Sequence, residues 1–275
     1  MTTEIREDMP WVIFRLGEQK LGLSASDTKE MLALPTVTPI PRAPDFIRGV
    51  INLRGEVITL VDLRLRLGMP SSETEKENLI KLLEQREQDH KNWLAELESS
   101  VREGRAFGLT TDPHACAFGR WYDSYTTDDL KVGSLLRLFD MPHKRIHAIG
   151  EEARSLMDKG RKDEALEVIS STRQGPLARM IALFGETREI IRRSNSEIAV
   201  VVERDGVSVA LTVDAVDSVE TLARDSVEPI PAGQGGQFDN LISYLGKRQE
   251  SEEMVLLLDI GRLLDQTRGI APNTN

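Results

Sequence analysis

At 275 residues, with 40% apolar and 29% charged side chains, the chain has the size and composition of a soluble globular protein with one or two buried cores. A formal net charge of −10 argues against a general nucleic-acid binder, because neutralising phosphates needs a clustered excess of Lys and Arg. No apolar run approaches the roughly 20 residues of a membrane helix. Met1 to Pro10, with Glu4, Arg6, Glu7 and Asp8, holds no stretch of signal-peptide length, so a cytoplasmic protein without direct membrane insertion is expected.

From Trp11 to about Pro70 the texture is that of short strands broken by turns. Trp11 to Leu16 is strand-like, Gly17-Glu18 marks a turn, and Lys20 to Ser24 continues the pattern. Pro35, Pro39, Pro41 and Pro44 then punctuate a loop in which helix is disfavoured. Gly49 to Arg54 and Val57 to Val61 flank a turn at Gly55, and Asp62 is placed to cap a short helix, Leu63 to Leu67.

From Glu73 to about Arg193 the texture is helical. Glu73 to Glu103 has no Pro or Gly and spaces Leu79, Leu82, Leu83, Trp93, Leu94 and Leu97 at three- and four-residue intervals. Further helical pieces are predicted around Cys116 to Tyr125, from about Gly133 to Asp158, and from about Lys162 to Arg193, the last kinked or split at Gly175-Pro176. Strand texture returns at Glu197: Ile198 to Val202 and Val207 to Leu211 flank the hairpin signal Asp205-Gly206. Val213 to Thr221 alternates, Gly233 to Gly236 reads as a flexible loop, and Met254 to Leu258 reads as a buried strand before a second Asp-capped helix, Ile260 to Leu264.

The two strand-rich flanks thus echo each other, each ending an apolar strand in Asp before a short helix. They are expected to be halves of one all-β module with a helical domain inserted. An up-down-up-down bundle suits such an insertion, because its first helix begins and its last helix ends at the same end.

Three of the four histidines fall in an ordered pattern with the only cysteine. That cysteine, Cys116, cannot form an internal disulfide, which leaves it structural, reactive or metal-bound. His143 and His147 are four apart on a predicted helix, so they share a face with Cβ atoms about 6 Å apart, a spacing that lets two imidazoles chelate one zinc. His90 lies on the first long helix, and Cys116 opens the compact aromatic run Cys-Ala-Phe-Gly-Arg-Trp-Tyr. A site of three His and one Cys is four-coordinate and closed, without the open position of a zinc hydrolase, and no His-Glu-x-x-His supplies a base. A metal-bound thiolate is nucleophilic and is the kind of group that oxidants convert to sulfenic acid. Trp93 and Trp121 are read as packing beside the site, and His114 as a surface loop residue.

His90-x-x-Trp93, Cys116-x-Phe118-Gly119-x-Trp121-Tyr122 and His143-x-x-x-His147 together resemble the chemoreceptor zinc-binding domain (CZB) over roughly Lys76 to Arg193. All four ligand positions of that motif are present: His90, Cys116, His143 and His147. The resemblance implies a zinc cofactor and a role for Cys116 in sensing oxidants such as hypochlorous acid, or sensing available zinc. Similar zinc domains can dimerise, so a homodimer is among the assemblies it allows.

The flanks, through Thr38 to Pro44, Phe46-Ile-Arg-Gly-Val-Ile-Asn-Leu-Arg-Gly55, Val57 to Gly68, Val207 to Val219 and Met254 to Leu264, are similar to the CheW coupling domain. This implies a pair of five-stranded β-barrels with no catalytic activity that join chemoreceptor cytoplasmic tips to the histidine kinase CheA. Arg54 matches the family's receptor-contacting arginine, and Arg48 is the second partner-binding candidate. The expected architecture is therefore α+β and multidomain. Residues 9–70 and 196–268 form the split CheW-like module, and residues 73–193 the inserted helical, four-helix-bundle zinc-binding domain. The rivals are a coupling scaffold whose zinc is purely structural and, more remotely, a zinc-dependent hydrolase.

Overall fold

The computed structural model describes residues 8–194, 197–230, 241–248, 251 and 253–267. The expected loop Gly233 to Gly236 lies outside them. The chain divides into two compact units, Met1–Thr74 with Asn195–Asn275, and Glu75–Ser194.

The first unit holds two sheets. One takes β1 (Met9–Leu16), β2 (Gln19–Ser24), β8 (Ala215–Leu222), β9 (Val227–Pro229), β10 (Ile242–Lys247) and β11 (Met254–Leu258), in the order β8-β1-β2-β11-β10-β9. The other takes β3 (Thr28–Ala33), β4 (Ile47–Leu53), β5 (Glu56–Asp62), β6 (Ile198–Arg204) and β7 (Val207–Val213), in the order β3-β6-β7-β5-β4. Each sheet mixes strands from both flanks, so neither flank can complete a sheet alone. The expected pair of closed five-stranded barrels is corrected to a six-stranded and a five-stranded open sheet. The reasons are local. The outer edge of β4 is taken by Thr38, whose amide and carbonyl both pair with Val50 at 2.8 Å. The prolines around Thr38 lack the N–H groups needed to extend that bridge into a strand. At the rim of the other sheet, β9 is only three residues long and ends in Pro229.

The echo between the flanks is structural. β5 pairs parallel with β7, and β11 pairs parallel with β2. Each of the two strands leads into a short helix, α1 (Leu63–Arg66) or α8 (Ile260–Thr267). Asp62 Oδ1 accepts from the Leu65 amide at 3.0 Å and Asp259 Oδ1 from the Arg262 amide at 3.2 Å. Their own amides donate to Phe46 and Leu241 carbonyls, both at 2.7 Å. Phe14, Leu16, Leu21, Leu63, Val200, Leu211 and Leu263 belong to one buried cluster drawn from both flanks, each such side chain contributing about 1.5–3 kcal/mol by leaving water.

The second unit is helical: α2 (Ser72–Glu103, its first residues belonging to the β unit), α3 (Ala117–Ser124), α4 (Leu130–Arg137), α5 (Asp140–Asp158), α6 (Lys162–Thr172) and α7 (Ala178–Arg193). The third predicted piece is two helices, broken at Leu138 and Phe139. Pro142 sits in the first turn of α5, where its missing N–H has no partner to lose. Gly175-Pro176 does not end the fourth piece; a π-helical turn, Arg173–Leu177, absorbs the proline and joins α6 to α7. Bonds from Lys76 Nζ to the Ser194 carbonyl (2.6 Å), Arg188 to Glu87 (2.7 Å) and Arg173 to Glu98 climb α2 as they descend α7 and α6. The first helix and the last therefore run antiparallel, and the two ends of the inserted segment are tied together. Leu83, Leu94, Phe139, Ile146 and Phe184 fill the core between helices.

Gly49 has φ +143°, and a Cβ there would lie 2.1 Å from the Thr38 carbonyl oxygen, whereas Gly55, at φ +93° in the β4–β5 turn, faces open space. Gly49→Ala is expected to destabilise the β unit by more than about 2 kcal/mol, and Gly55→Ala by only about 1 kcal/mol of backbone strain. Urea unfolding of the two variants checks this, and equal midpoints would contradict it.

Candidate metal centre

Three helices deliver the candidate ligands. His90 projects from the middle of α2, and its Nδ1 donates to the Arg86 carbonyl one turn back at 2.7 Å. That bond leaves Nε2 as the basic, metal-competent nitrogen, the orientation that a second hydrogen bond gives to most metal-bound histidines. His143 and His147 occupy one face of α5, their ring centroids 4.9 Å apart. Cys116 is the N-cap of α3: its sulfur accepts from the Gly119 amide at 3.1 Å and lies 3.3 Å from His143 Nε2.

The four ligand atoms all fall within 4.8 Å of one another. A tetrahedral zinc with Zn–N and Zn–S bonds of about 2.0–2.3 Å sets its ligands roughly 3.3–3.8 Å apart, so modest contraction completes the sphere. His90, His143 and His147 are 3%, 4% and 1% exposed. His90 Nε2 and both ring nitrogens of His147 are buried without a hydrogen-bond partner among the described residues. One orphaned nitrogen each from His90 and His147, beside His143 Nε2 and the Cys116 sulfur, make a donor set that an ion would satisfy. No other cluster of His, Cys, Asp or Glu of this kind occurs among the described residues.

The electrostatics agree. Burial, helped by the neighbouring imidazoles, pushes His143 down to about 3 and His147 down to about 4, and it lowers His90 as well. All three are neutral at pH 7, as metal ligation requires. Burial raises the Cys116 thiol, opposed by the Gly119 and Phe118 amides and by the charges of Arg120 and Arg86.

Aromatic packing holds the site. Phe118, 1% exposed, meets His143 edge-on at 4.9 Å and His90 at 5.6 Å, and it packs on Phe139 from the α4–α5 break and on Phe184 from α7. Trp93, read from the sequence as packing, lies 4.9 Å from His147, and its Nε1 donates to the Thr110 carbonyl at 2.8 Å. Trp121 is partly buried beside Phe118 and Tyr125. His114 is 61% exposed and bonds Asp123 at 2.8 Å outside the cluster.

Sequence reasoning assigned no role to Gly119. A Cβ on this helical glycine would stand 1.9 Å from the Pro113 carbonyl oxygen, so it is the gap that lets the turn before Cys116 lie against α3. A glycine spending about 1 kcal/mol of helix propensity in the first turn was the available signal.

Of the partner-binding candidates, Arg54 stands at the tip of the β4–β5 hairpin with its side chain 82% exposed and one ion pair, to Glu30 at 2.9 Å. Arg48 is engaged within the β unit, where its guanidinium donates to both carboxylate oxygens of buried Glu197 at 2.7 Å.

Fold and site together define an interleaved two-sheet module interrupted by a helical metal-binding unit. A family model described as the CheW-like domain matches residues 10–94 and 173–268, and one described as the chemoreceptor zinc-binding domain matches residues 90–154, a span that contains all four candidate ligands. The chain belongs to the CheW-like family and carries a chemoreceptor zinc-binding domain between the two halves, with zinc the ion that this domain's description names. Its relatives include the chemotaxis protein CheW of Rhizobium meliloti (strain 1021), 40% identical over 22% of this chain and 40% of that protein. Protein FrzA of Myxococcus xanthus is 36% identical over 23% and 39%. The chain thus spans about two fifths of the length of these relatives. A crystal structure of the scaffolding protein TtCheW from Thermoanaerobacter tengcongensis aligns over 91% of this chain and 88% of that one, at 16% identity and a TM-score of 0.43, too distant to bear on function.

With the histidines neutral, zinc uptake at pH 7 is expected to release about one proton, that of the Cys116 thiol. Calorimetry in buffers of different ionisation heat measures it, and release of three or more protons would show charged histidines instead. Gly119→Ala is expected to weaken zinc binding by roughly 10–100-fold, the loss typical of a support one step removed from the metal. An unchanged affinity would contradict the role given to Gly119.

Proposed function

We propose that this chain is a cytoplasmic coupling scaffold of chemotaxis-type signalling that joins chemoreceptor tips to a CheA-type histidine kinase, with a zinc–thiolate centre that senses oxidant or zinc and modulates the coupling. Residues 9–70 and 196–268 are the coupling module, and residues 73–193 the inserted sensor. His90, Cys116, His143 and His147 hold the zinc, and Arg54 is the partner-contacting residue of the two arginine candidates. No catalysis is assigned to the chain. Among the described residues no helix is long and apolar enough to cross a membrane.

The observation that carries this reading is the closed set of soft ligands within a segment whose two ends are tied by Lys76 and Ser194. Zinc bound there keeps Cys116 as a thiolate at neutral pH. The chain's own residues do the rest. His90, held by Arg86, and the His143–His147 pair fix the positions of α2 and α5, while Cys116 fixes the start of α3. Each linker into the β unit is gripped by an arginine of that unit: Arg64 donates to the Pro70 carbonyl at 3.2 Å, and Arg48 binds Glu197. A change at the centre that shifts α2 or α7 is therefore delivered to β4 and β5, between which Arg54 sits. Two states that differ there bind partners differently, which is all that coupling requires.

A zinc that is only structural is the second reading. The separate aromatic and aliphatic core of Leu83, Leu94, Phe139, Ile146 and Phe184 favours a helical unit that keeps its helices without the ion. Chelation is accordingly expected to leave far-UV helix content largely intact while changing affinity for a receptor–kinase pair, and hypochlorous acid is expected to do the same. Cys116→Ser is expected to lose the oxidant response. Affinity in Cys116→Ser that still tracks oxidant would sink the sensor reading, and collapse of helix content on chelation would restore the structural one.

A further inference from the structure

Cys116 is the single cysteine in the sequence. An oxidised sulfur at this position therefore has no second thiol in its own chain with which to form a disulfide. Beside the metal centre lies a cleft of about 360 Å3, within the size range of small-molecule sites. Three of the four candidate ligands, His90, Cys116 and His147, line it, together with Asn92, Trp93 and Leu109. His143 does not line it, so the cleft approaches the sulfur from the side away from that histidine.

We propose that Cys116, once oxidised, is captured by a low-molecular-weight thiol seated in this cleft, so that the modified protein is a mixed disulfide and the modification is reversible. The proposal rests on the reading of Cys116 as oxidant-reactive. In net terms hypochlorous acid takes two electrons from the thiolate: the O–Cl bond breaks, chloride leaves, and the sulfur keeps the OH as sulfenic acid. The small thiol then attacks the sulfenic sulfur. An S–S bond forms, the S–O bond breaks, and the hydroxyl departs with the thiol proton as water. A further thiol returns Cys116 by exchange, forming the small-molecule disulfide. Capture matters because the alternative fate, further oxidation to the sulfinic acid, is not reversed by thiols. A mixed disulfide also has no thiolate to offer a metal, so the captured state is a defined off state, whereas the sulfinic acid is damage.

The test treats the zinc-loaded full chain with one equivalent of hypochlorous acid, removes unreacted oxidant, adds reduced glutathione or buffer alone, then challenges with further oxidant, and follows intact mass and peptide maps. With glutathione, one glutathionyl group on Cys116, removable by dithiothreitol, is expected; without it, sulfinic acid. Asn92→Phe narrows the cleft from a wall position that is not a ligand. It is expected to retain zinc and react with the oxidant as before, while forming the glutathionyl adduct at least about fivefold more slowly, since a misfitting side chain in a pocket costs about that or more. Sulfinic acid despite glutathione, or adduct formation in Asn92→Phe at the unaltered rate, overturns the capture alone. A Cys116 left unmodified by the oxidant overturns the oxidant reading on which it rests.

Discussion

Three imidazoles packed out of water around one sulfur, with three of their nitrogens unpaired, are the constraint on which the helical unit is built. Each buried polar atom left without a partner costs about 1–3 kcal/mol, and no side chain nearby offers relief. The surroundings suit a bound ion. The Arg86 carbonyl turns His90, Phe118 and Trp93 seal the rings from solvent, and the Gly119 amide caps the sulfur. The same arrangement explains why three helices from distant parts of the chain converge, since α2, α3 and α5 each supply what the others lack.

The β unit answers a different constraint. Its two sheets share strands from both flanks, so the chain must return after the helical segment to finish each of them. The return is made easy by the antiparallel run of α2 against α6 and α7, which places Ser194 at Lys76. Asp62 and Asp259 repeat one structural sentence in the two halves, a parallel strand, an aspartate cap and a short helix. The insertion falls just after the first repetition. Pro70 and Glu197, the residues that frame it, are each held within the β unit by an arginine.

Much of this was legible in the sequence because its signals are local. Apolar runs announced β1, β5 and β7, alternation announced β8, Asp205-Gly206 announced a hairpin, and the ordered histidines and cysteine, with the motif they resemble, announced a metal site. What stayed hidden depends on partners far along the chain. β3, Thr28–Ala33, alternates partly buried with exposed residues and owes its place to pairing with β6, some 170 residues away. Closed barrels were expected, yet Thr38 occupies the edge that closure would need. Arg48 reads as a partner-binding candidate until Glu197, 149 residues later, is brought to it. Gly119 reads as a weak helix position until the Pro113 carbonyl is seen against it.

The most direct test of the metal centre is X-ray absorption at the zinc edge on the full chain loaded with one equivalent of zinc. A first shell of one sulfur and three nitrogens, with imidazole outer-shell scattering and loss of the sulfur in Cys116→Ser, is the expected result. A shell without sulfur, or one completed by a water oxygen in place of a histidine, would contradict a closed centre at His90, Cys116, His143 and His147.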